Sequence, residues 1–306
     1  MNKTIVVTGG SKGIGKSIVF KFAKNGFDII TCSRNAKELY SLESNLKSIY
    51  SEINLFTLKA DLSNKDDCNK FIRFVNKKTK SIDVLVNNVG AFVPGKLISE
   101  DDSALKFMID TNLYSNYWVT RGLVKIFTNQ KSGHIFNICS IASKVAYDSA
   151  GSYCISKFAL YGMSLCLREE LKDYGIKVTS VLPGATLTSS WDGTKVDKNR
   201  FVSPEDIAES IFSIYNMSKG ANVEEIIIRP QAIKLSEEKT PVNGVKGTVM
   251  ASKLMGSYSF IHLSVLDENK EVIHVHSHMP ANFNPKQSTA VGIEIDEEKV
   301  FVFPKK

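Results

Sequence analysis

The chain has 306 residues, enough for one large domain or for one large and one small domain. Its hydrophobic fraction of 43% and charged fraction of 23% are typical of an ordinary soluble globular protein. The sequence contains no apolar run near the roughly 20 residues that a membrane-spanning helix needs.

The net charge of +7 belongs to residues 1–239, because residues 240–306 contain seven lysines and seven acidic residues. A basic domain is one feature of nucleic-acid-binding proteins. The sequence has no basic stripe with interleaved aromatic residues. We therefore expect an anionic cofactor and solvated lysines to account for the charge, and no nucleic-acid partner.

Two features predict a cytoplasmic location. The first apolar run, Ile5–Val7, begins almost at the N-terminus, and we expect no signal peptide ahead of it. The five cysteines lack the paired spacing of metal sites, which predicts buried free thiols in a reducing compartment. They are Cys32, Cys68, Cys139, Cys154 and Cys166.

The first predicted elements form an anion-binding unit. Thr4–Thr8 is a short β-rich run, Gly9–Gly15 is a glycine-rich loop, and Lys16–Asn25 has a helical pattern that Gly26 ends. Backbone N–H groups and the dipole of a helix N-terminus attract anions, so this unit predicts a phosphate site.

The glycine loop satisfies two motifs. Gly10–Ser17 has the spacing of the phosphate loop of nucleoside triphosphatases, whereas Thr8–Gly15 has the spacing T-G-x-x-x-G-x-G of dinucleotide-binding loops. A triphosphatase also needs an acidic magnesium ligand after an apolar strand. The strand predicted at Ile82–Val86 ends in Asn87-Asn88, which favours the dinucleotide interpretation.

The end of the second predicted strand, Phe27–Cys32, bears on the choice of cofactor. An acidic residue at this place binds the ribose 2′-hydroxyl of NAD, and a cation accommodates the 2′-phosphate of NADP. This chain has Ser33-Arg34 there, with Lys12 in the glycine loop as a second cation. Either cation alone is equally well a solvated surface charge; together they favour NADP.

A helical run, Tyr153–Leu171, begins with Tyr153-Cys-Ile-Ser-Lys157. Residues four apart share a helix face, so the phenol and the ammonium are predicted to point into one cleft. A nearby ammonium is expected to lower the tyrosine pKa from its usual value near ~10. A proton donor of this kind suits carbonyl reduction or alcohol oxidation. The alternative is a surface helix with an ordinary Tyr and Lys.

These motifs occur in one order over residues 1–231. They include Asn87-Asn-Val-Gly90, the pair Asp61-Leu62 and Pro183-Gly-Ala-Thr-Leu-Thr188. In this order they resemble the short-chain dehydrogenase/reductase family. The resemblance implies an α/β fold with a doubly wound parallel sheet, an NADP(H)-dependent oxidoreductase acting on a carbonyl or alcohol, and a homodimer or homotetramer.

The resemblance assigns a role to four catalytic residues. Tyr153 is the acid/base, Lys157 lowers its pKa and holds the ribose, Ser140 orients the carbonyl, and Asn112 holds a water in a proton relay. The cofactor-binding positions that it implies are Thr8, Gly9, Ser11, Lys12, Gly13, Ile14, Gly15, Ser33, Arg34, Asp61, Leu62, Asn88, Val89, Gly90, Tyr153, Lys157, Pro183, Gly184, Thr186 and Thr188.

Some positions depart from the family pattern or have a simpler interpretation. Val89 stands where the family has Ala, and Thr186 where it has Val. Asp61 is equally well a helix cap. Asn112, in a helix predicted over Glu100–Thr120, is equally well a solvent-facing polar residue. Trp191, in a short substrate lid, suggests an apolar wall.

The tail is predicted to be a separate small β domain. The breaker cluster Pro241–Gly247 marks a linker, and we set the domains at 1–235 and 236–306. The predicted strands are Thr248–Ser252, Ser259–Leu266, Glu271–Ser277, Ala290–Ile295 and Lys299–Phe303. Arg229–Leu235, the segment at Gly256 and Asp296–Phe303 resemble the TOBE subdomain of ABC transporter ATPases, which binds small ligands or partners.

Two alternatives concern this tail. His274, His276 and His278 alternate along one predicted strand, so they share a face that would suit zinc, copper or nickel. Without a cysteine or a second ligand cluster, a polar strand face is the simpler interpretation, and we predict no metal. The tail also allows a ligand-sensing or regulatory protein, but the complete Asn/Ser/Tyr/Lys set favours an enzyme.

Overall fold

The computed structural model describes residues 2–189, 198, 201–230, 233–236, 245–254, 258–266, 272–280 and 282–295. The chain divides into two compact units, Met1–Arg229 and Pro230–Lys306. This division falls six residues before the end of the expected first domain at residue 235. The reason is that the strand Ile233–Ser236 pairs within the second unit.

Seven of the described strands form a parallel sheet in the first unit. They are β1 (Thr4–Thr8), β2 (Asp28–Ser33), β3 (Leu55–Lys59), β4 (Val84–Asn87), β5 (Gly133–Ile138), β6 (Ile176–Pro183) and β7 (Glu225–Ile228). The strand order is β3-β2-β1-β4-β5-β6-β7, and every pairing is parallel. The expected doubly wound α/β fold is confirmed.

Helices cover both faces of this sheet. They are α1 (Gly13–Lys24), α2 (Ala36–Ile49), α3 (Lys65–Lys78), α4 (Ser103–Ile109), α5 (Ser115–Gln130), α6 (Gly151–Leu171) and α7 (Pro204–Tyr215). One apolar core joins α1, α2 and α7 to the sheet, and Phe22 lies in it. A second core joins α3 and α5, and Phe71 and Phe127 lie in it. Because β1 and β4 are buried on both faces, they read as continuous apolar runs.

The direction in which successive strands are added to the sheet reverses at β1. This strand pairs with β2 on one side and with β4 on the other. Helices that follow neighbouring strands at such a point diverge, and a crevice opens beyond the carboxyl ends of the strands. The expected site residues of β1, β2, β4, β5 and β6 lie at the carboxyl ends of these strands or shortly after them. The topology therefore collects them at one edge.

The second unit is an antiparallel sheet in its described part, with the order β11-β10-β9-β12-β8. Its strands are β8 (Ile233–Ser236), β9 (Val245–Leu254), β10 (Tyr258–Leu266), β11 (Val272–Pro280) and β12 (Ala290–Ile295). Val249, Ile261, Leu263 and Ile293 lie in its apolar core. The expected small all-β unit is confirmed, and its predicted last strand, Lys299–Phe303, lies outside the described residues.

The structure also bears on the expectations for the cysteines and for the three alternating histidines of the tail. All five cysteines are free, but Cys166 is exposed where a buried thiol was expected. The backbone of His274, His276 and His278 lies on β11, and their side chains are outside the described part. None of the helices in the described ranges has the length and apolar character that crossing a bilayer requires.

Candidate active site

The glycine loop is tied to the end of β4 by four hydrogen bonds. Thr8 Oγ1 accepts from the backbone amides of Asn88, at 2.9 Å, and Val89, at 3.0 Å. Asn88 Nδ2 donates in turn to the carbonyls of Thr8, at 2.9 Å, and Gly9, at 3.1 Å. The side chain of Asn88 thus holds the two strand ends at a fixed spacing beside the crevice.

The loop is close-packed, and the first turn of α1 itself contains no acidic residue. A Cβ placed on Gly15 would lie 2.3 Å from the Gly9 carbonyl oxygen, so no other residue fits there. Gly13 has φ +53° and lies against Thr188, where a Cβ would be 3.2 Å from Thr188 Cγ2. The residue before the helix is Lys12, and the first turn is free of acids. The residues therefore fit an anionic dinucleotide, as expected from the sequence.

Arg34 lies just after β2, at the position that the sequence analysis linked to the choice between NAD and NADP. Its exposed side chain lines a hollow of about 390 Å³ together with the charged residues Lys59, Asp61, Asp67 and Lys70. Asp61 is held by a local turn, because its Oδ1 accepts from the amide of Ser63 at 3.1 Å and from its hydroxyl at 2.8 Å. Three cations and two carboxylates thus line this hollow, and the neighbouring Leu62 is buried.

The expected helix over Glu100–Thr120 is interrupted. Between α4 and α5 lies one π-helical turn, Asp110–Tyr114, which carries Asn112. Such turns often occur at functional sites, since the extra residue re-aims a side chain. Asn112 is fully buried, where a solvent-facing residue was the alternative. Its Nδ2 donates to Ser156 Oγ at 2.8 Å and to the Ala91 carbonyl at 3.0 Å, so it joins α6 to the segment after β4.

Lys157 is buried and its ammonium is held by a backbone carbonyl. Nζ donates to the Ile138 carbonyl at 2.9 Å, and a Cβ on Gly90 would lie 3.4 Å from Nζ and 3.3 Å from Asn112 Oδ1. Burial lowers the pKa of Lys157 to about 8. The absence of a side chain at Gly90 therefore opens the space between Lys157 and Asn112.

Ser140 and Tyr153 face one another, and the direction of the tyrosine pKa differs from the expected one. Ser140 begins a short 3₁₀ turn, and its Oγ accepts from the Ala142 amide at 3.1 Å. Burial raises the pKa of the Tyr153 phenol, and its hydrogen bond with Ser140 only partly opposes this. Lys157 Nζ lies 5.8 Å from the tyrosine ring centre, on the Ile138 carbonyl. Desolvation thus outweighs the expected lowering by the ammonium.

The segment after β6 closes the crevice. The Gly184 amide donates to the Ile228 carbonyl at 2.7 Å, and Thr186 Oγ1 donates to the Gly184 carbonyl at 3.0 Å. Thr186 is buried, so the polar replacement of the family's Val is satisfied locally. Thr188 reaches Gly13 across the crevice. Trp191 of the expected lid lies outside the described residues.

Several side chains at the site were missed by sequence reasoning. The Phe92 ring packs edge-on against Tyr153, with ring centres 5.0 Å apart. Glu100 accepts from Ser152, and Glu38 accepts from Ser11. A signal for Glu38 was present, because Asn35 caps α2 and an acidic residue three positions later is typical of a helix start. The other two contacts lack a local sequence signal.

Comparison with known proteins agrees with this geometry. A family model of short chain dehydrogenases matches residues 3–199. The chain belongs to the short-chain dehydrogenase family. It is an oxidoreductase of that family, and the alternative of a purely ligand-sensing protein is not favoured. A TOBE domain model matches residues 226–303, which confirms the resemblance seen in the tail.

Individual relatives cover the first unit. The chain is 31% identical over 250 residues to sepiapterin reductase of Chlorobaculum tepidum, covering 78% of this chain and all of that protein. A solved structure of ElxO with NADP bound has a TM-score of 0.68 and 27% identity, over 74% of this chain and 97% of that one. A metagenomic short-chain oxidoreductase in complex with NADP has a TM-score of 0.65 and 27% identity, over 74% and 96%.

Proposed function

We propose that the chain transfers a hydride between NADP(H) and a carbonyl or alcohol substrate, with Tyr153 as acid/base. The observation that carries this proposal is the packing of Tyr153 between Ser140 and Phe92, one helical turn from Lys157. Two relatives whose structures contain NADP, together with Arg34 and Lys12 at the dinucleotide site, support NADP(H) as cofactor.

The residues that would hold the cofactor follow the strand ends. The glycine loop and the start of α1 face its phosphates, and Arg34 accommodates the 2′-phosphate. Asn88, Val89 and Gly90 line the middle of the crevice, and Pro183, Gly184, Thr186 and Thr188 line its far side. When bound, the nicotinamide supplies or accepts the hydride. The protein contributes binding, orientation and a proton.

The proton step follows from the burial of Tyr153. Because its pKa is raised, the phenol keeps its proton at neutral pH and donates it to the carbonyl oxygen as the carbon accepts the hydride. The product is the alcohol. Ser140 Oγ donates to the same carbonyl oxygen and aligns it with the phenol. Lys157, with its pKa of about 8, then returns a proton to the phenolate, and Asn112, which like Lys157 lies beside Gly90, would hold the water of this relay.

We also propose that the protein is a homodimer or homotetramer in the cytoplasm, with no nucleic-acid partner. On α6, the apolar side chains of Ile155, Phe158 and Leu165 are about 40% to 45% exposed. An exposed apolar stripe on one helix suits burial against a second copy. The four buried free thiols suit a reducing compartment.

Exchange of Tyr153 for Phe tests the function. It removes only the hydroxyl, so NADPH affinity should stay within a factor of about two while turnover of carbonyl substrates falls by about 10² or more. Tyr161→Phe is the matched control, because Tyr161 lies on the same helix and donates to Glu225 at 2.9 Å, away from the crevice. Near-normal turnover by Tyr153→Phe would overturn the proposed mechanism.

A further inference from the structure

The carboxylate of Glu38 lies among the residues that would read the cofactor's 2′-position. Glu38 Oε2 is 2.6 Å from Ser11 Oγ, and the same oxygen of Ser11 is 2.8 Å from Ser33 Oγ. Ser11 belongs to the glycine loop, and Ser33 ends β2 directly before Arg34. We infer that Glu38 opposes binding of the 2′-phosphate and so limits the preference for NADPH over NADH. This inference rests on the proposed use of NADP(H).

Glu38 is held in this position from both sides. It lies in the first turn of α2, where the helix dipole favours a carboxylate. Its second oxygen, Oε1, accepts from Asn35 Nδ2 at 3.3 Å, and Asn35 Oδ1 accepts from the Glu38 amide at 3.3 Å. The side chain is half-buried. It is therefore a localised negative charge and not a freely moving surface acid.

The contact also occupies a donor that a phosphate would need. A serine hydroxyl has a single proton, and a carboxylate only accepts. In this arrangement the proton of Ser11 is committed to Glu38. Ser33 Oγ in turn accepts from the Asn35 amide at 3.2 Å. A bound 2′-phosphate would meet the charge of Arg34 together with the like charge of Glu38.

The ribose of NADH presents a neutral hydroxyl at the same position. A carboxylate does not repel a hydroxyl, so Glu38 acts on the phosphate and leaves NADH little affected. Arg34 and Glu38 thus work in opposite directions on one group of the cofactor. The ratio of the two dissociation constants, NADPH to NADH, measures their balance.

The test is Glu38→Gln, which keeps the length of the side chain and an oxygen for Ser11 but removes the charge. Dissociation constants for NADPH and NADH are measured by fluorescence titration without substrate. Competition by 2′,5′-ADP and 5′-AMP is measured alongside, since these differ only in the 2′-phosphate. We expect NADPH and 2′,5′-ADP to bind about five- to tenfold more tightly, the scale of a screened like-charge contact, and NADH and 5′-AMP to change less than about twofold.

The matched control is Glu43→Gln. Glu43 lies on the same helix, is also half-buried and accepts from the hydroxyl of Thr57, so its exchange removes the same charge elsewhere. This exchange should change neither the ratio of NADPH to NADH dissociation constants nor that of 2′,5′-ADP to 5′-AMP by more than about twofold. An unchanged ratio of NADPH to NADH dissociation constants in Glu38→Gln, or an equal change in Glu43→Gln, overturns the inference. A wild-type protein that prefers NADH would instead overturn the proposed cofactor, and the ratio would still report on Glu38.

Discussion

Glu100 accepts hydrogen bonds from both the hydroxyl and the backbone amide of Ser152, the residue directly before Tyr153. Ser152 is in the first turn of α6, whose preceding residue Ala150 has no capping side chain. A carboxylate from 52 residues away therefore supplies the cap that the helix lacks locally. The loop after β4 and the catalytic helix are joined at this point.

Exchange of Glu100 for Ala should destabilise the start of α6. Loss of a helix N-cap typically costs about 0.5–2 kcal/mol, and we expect a decrease of that size in the free energy of unfolding, measured in urea. Turnover should fall with it, because Tyr153 follows directly. Asp148→Ala is the control, since its ion pair with Lys96, at 3.3 Å, is exposed. Equal effects of the two exchanges would contradict a cap by Glu100.

His134 should make the fold sensitive to acid. The side chain is buried, its Nε2 lies 2.8 Å from Thr179 Oγ1, and burial lowers its pKa from 6.5 to about 3. The unfolded chain thus binds more protons between these values, and stability falls as the pH falls below 6.5. Between pH 7.5 and 5.0 this loss is about 2 kcal/mol.

The urea unfolding of wild type and His134→Asn at both pH values isolates this contribution. Asn does not titrate, so the wild type should lose about 2 kcal/mol more than the variant over the same pH range. Other groups titrate equally in both proteins and cancel. Parallel losses would show that His134 does not carry the pH dependence.

Arg34→Asp should shift the cofactor preference towards NADH. The exchange removes a cation next to the 2′-phosphate and places an acceptor near the 2′-hydroxyl. A charged hydrogen bond contributes about 1.5–3 kcal/mol, so NADPH should bind about 10- to 100-fold more weakly. The control is Lys47→Asp, which makes the same charge change in the last turn of α2. NADPH affinity that stays constant in Arg34→Asp would place the phosphate elsewhere.

A chain that ends at Arg229 should fold, bind NADPH and retain turnover. It keeps β7, whose Ile228 carbonyl accepts from the Gly184 amide at 2.7 Å beside the crevice. A chain that ends at Val223 removes β7 and should be insoluble, since the edge of β6 is then unpaired. Soluble yield, NADPH binding and turnover are compared with the full chain. A soluble 1–229 protein that binds NADPH but is inactive would assign the tail a part in the reaction.

Much of the first unit was predictable because its strands are buried on both faces. Such strands appear as short apolar runs, and in a parallel sheet their carboxyl ends lie at one edge. Thr8, Ser33, Asn88 and Ser140 each follow such a run, so their convergence needed no tertiary information. The pair Tyr153 and Lys157 was equally accessible, because helix periodicity alone brings residues four apart to one face.

Other features depended on tertiary structure. The π-helical turn at Asn112 is stabilised by contacts with Ala91 and Ser156, which lie 21 and 44 residues away. The boundary at Arg229 depends on the pairing of β8 with β12. The contacts of Glu38 with Ser11 and of Glu100 with Ser152 span 27 and 52 residues. Sequence patterns report local periodicity and do not contain these distances.

The pair Tyr153 and Lys157 likewise has one property that the sequence predicts and another that depends on tertiary structure. The sequence by itself determined that a phenol and an ammonium lie on one helix face. Only the tertiary structure decided that Tyr153 has a raised pKa and Lys157 a lowered one. Desolvation sums over every neighbour that excludes water, and those neighbours come from distant segments. The helix spacing determines which groups are adjacent, and the folded surroundings determine the direction in which each pKa shifts.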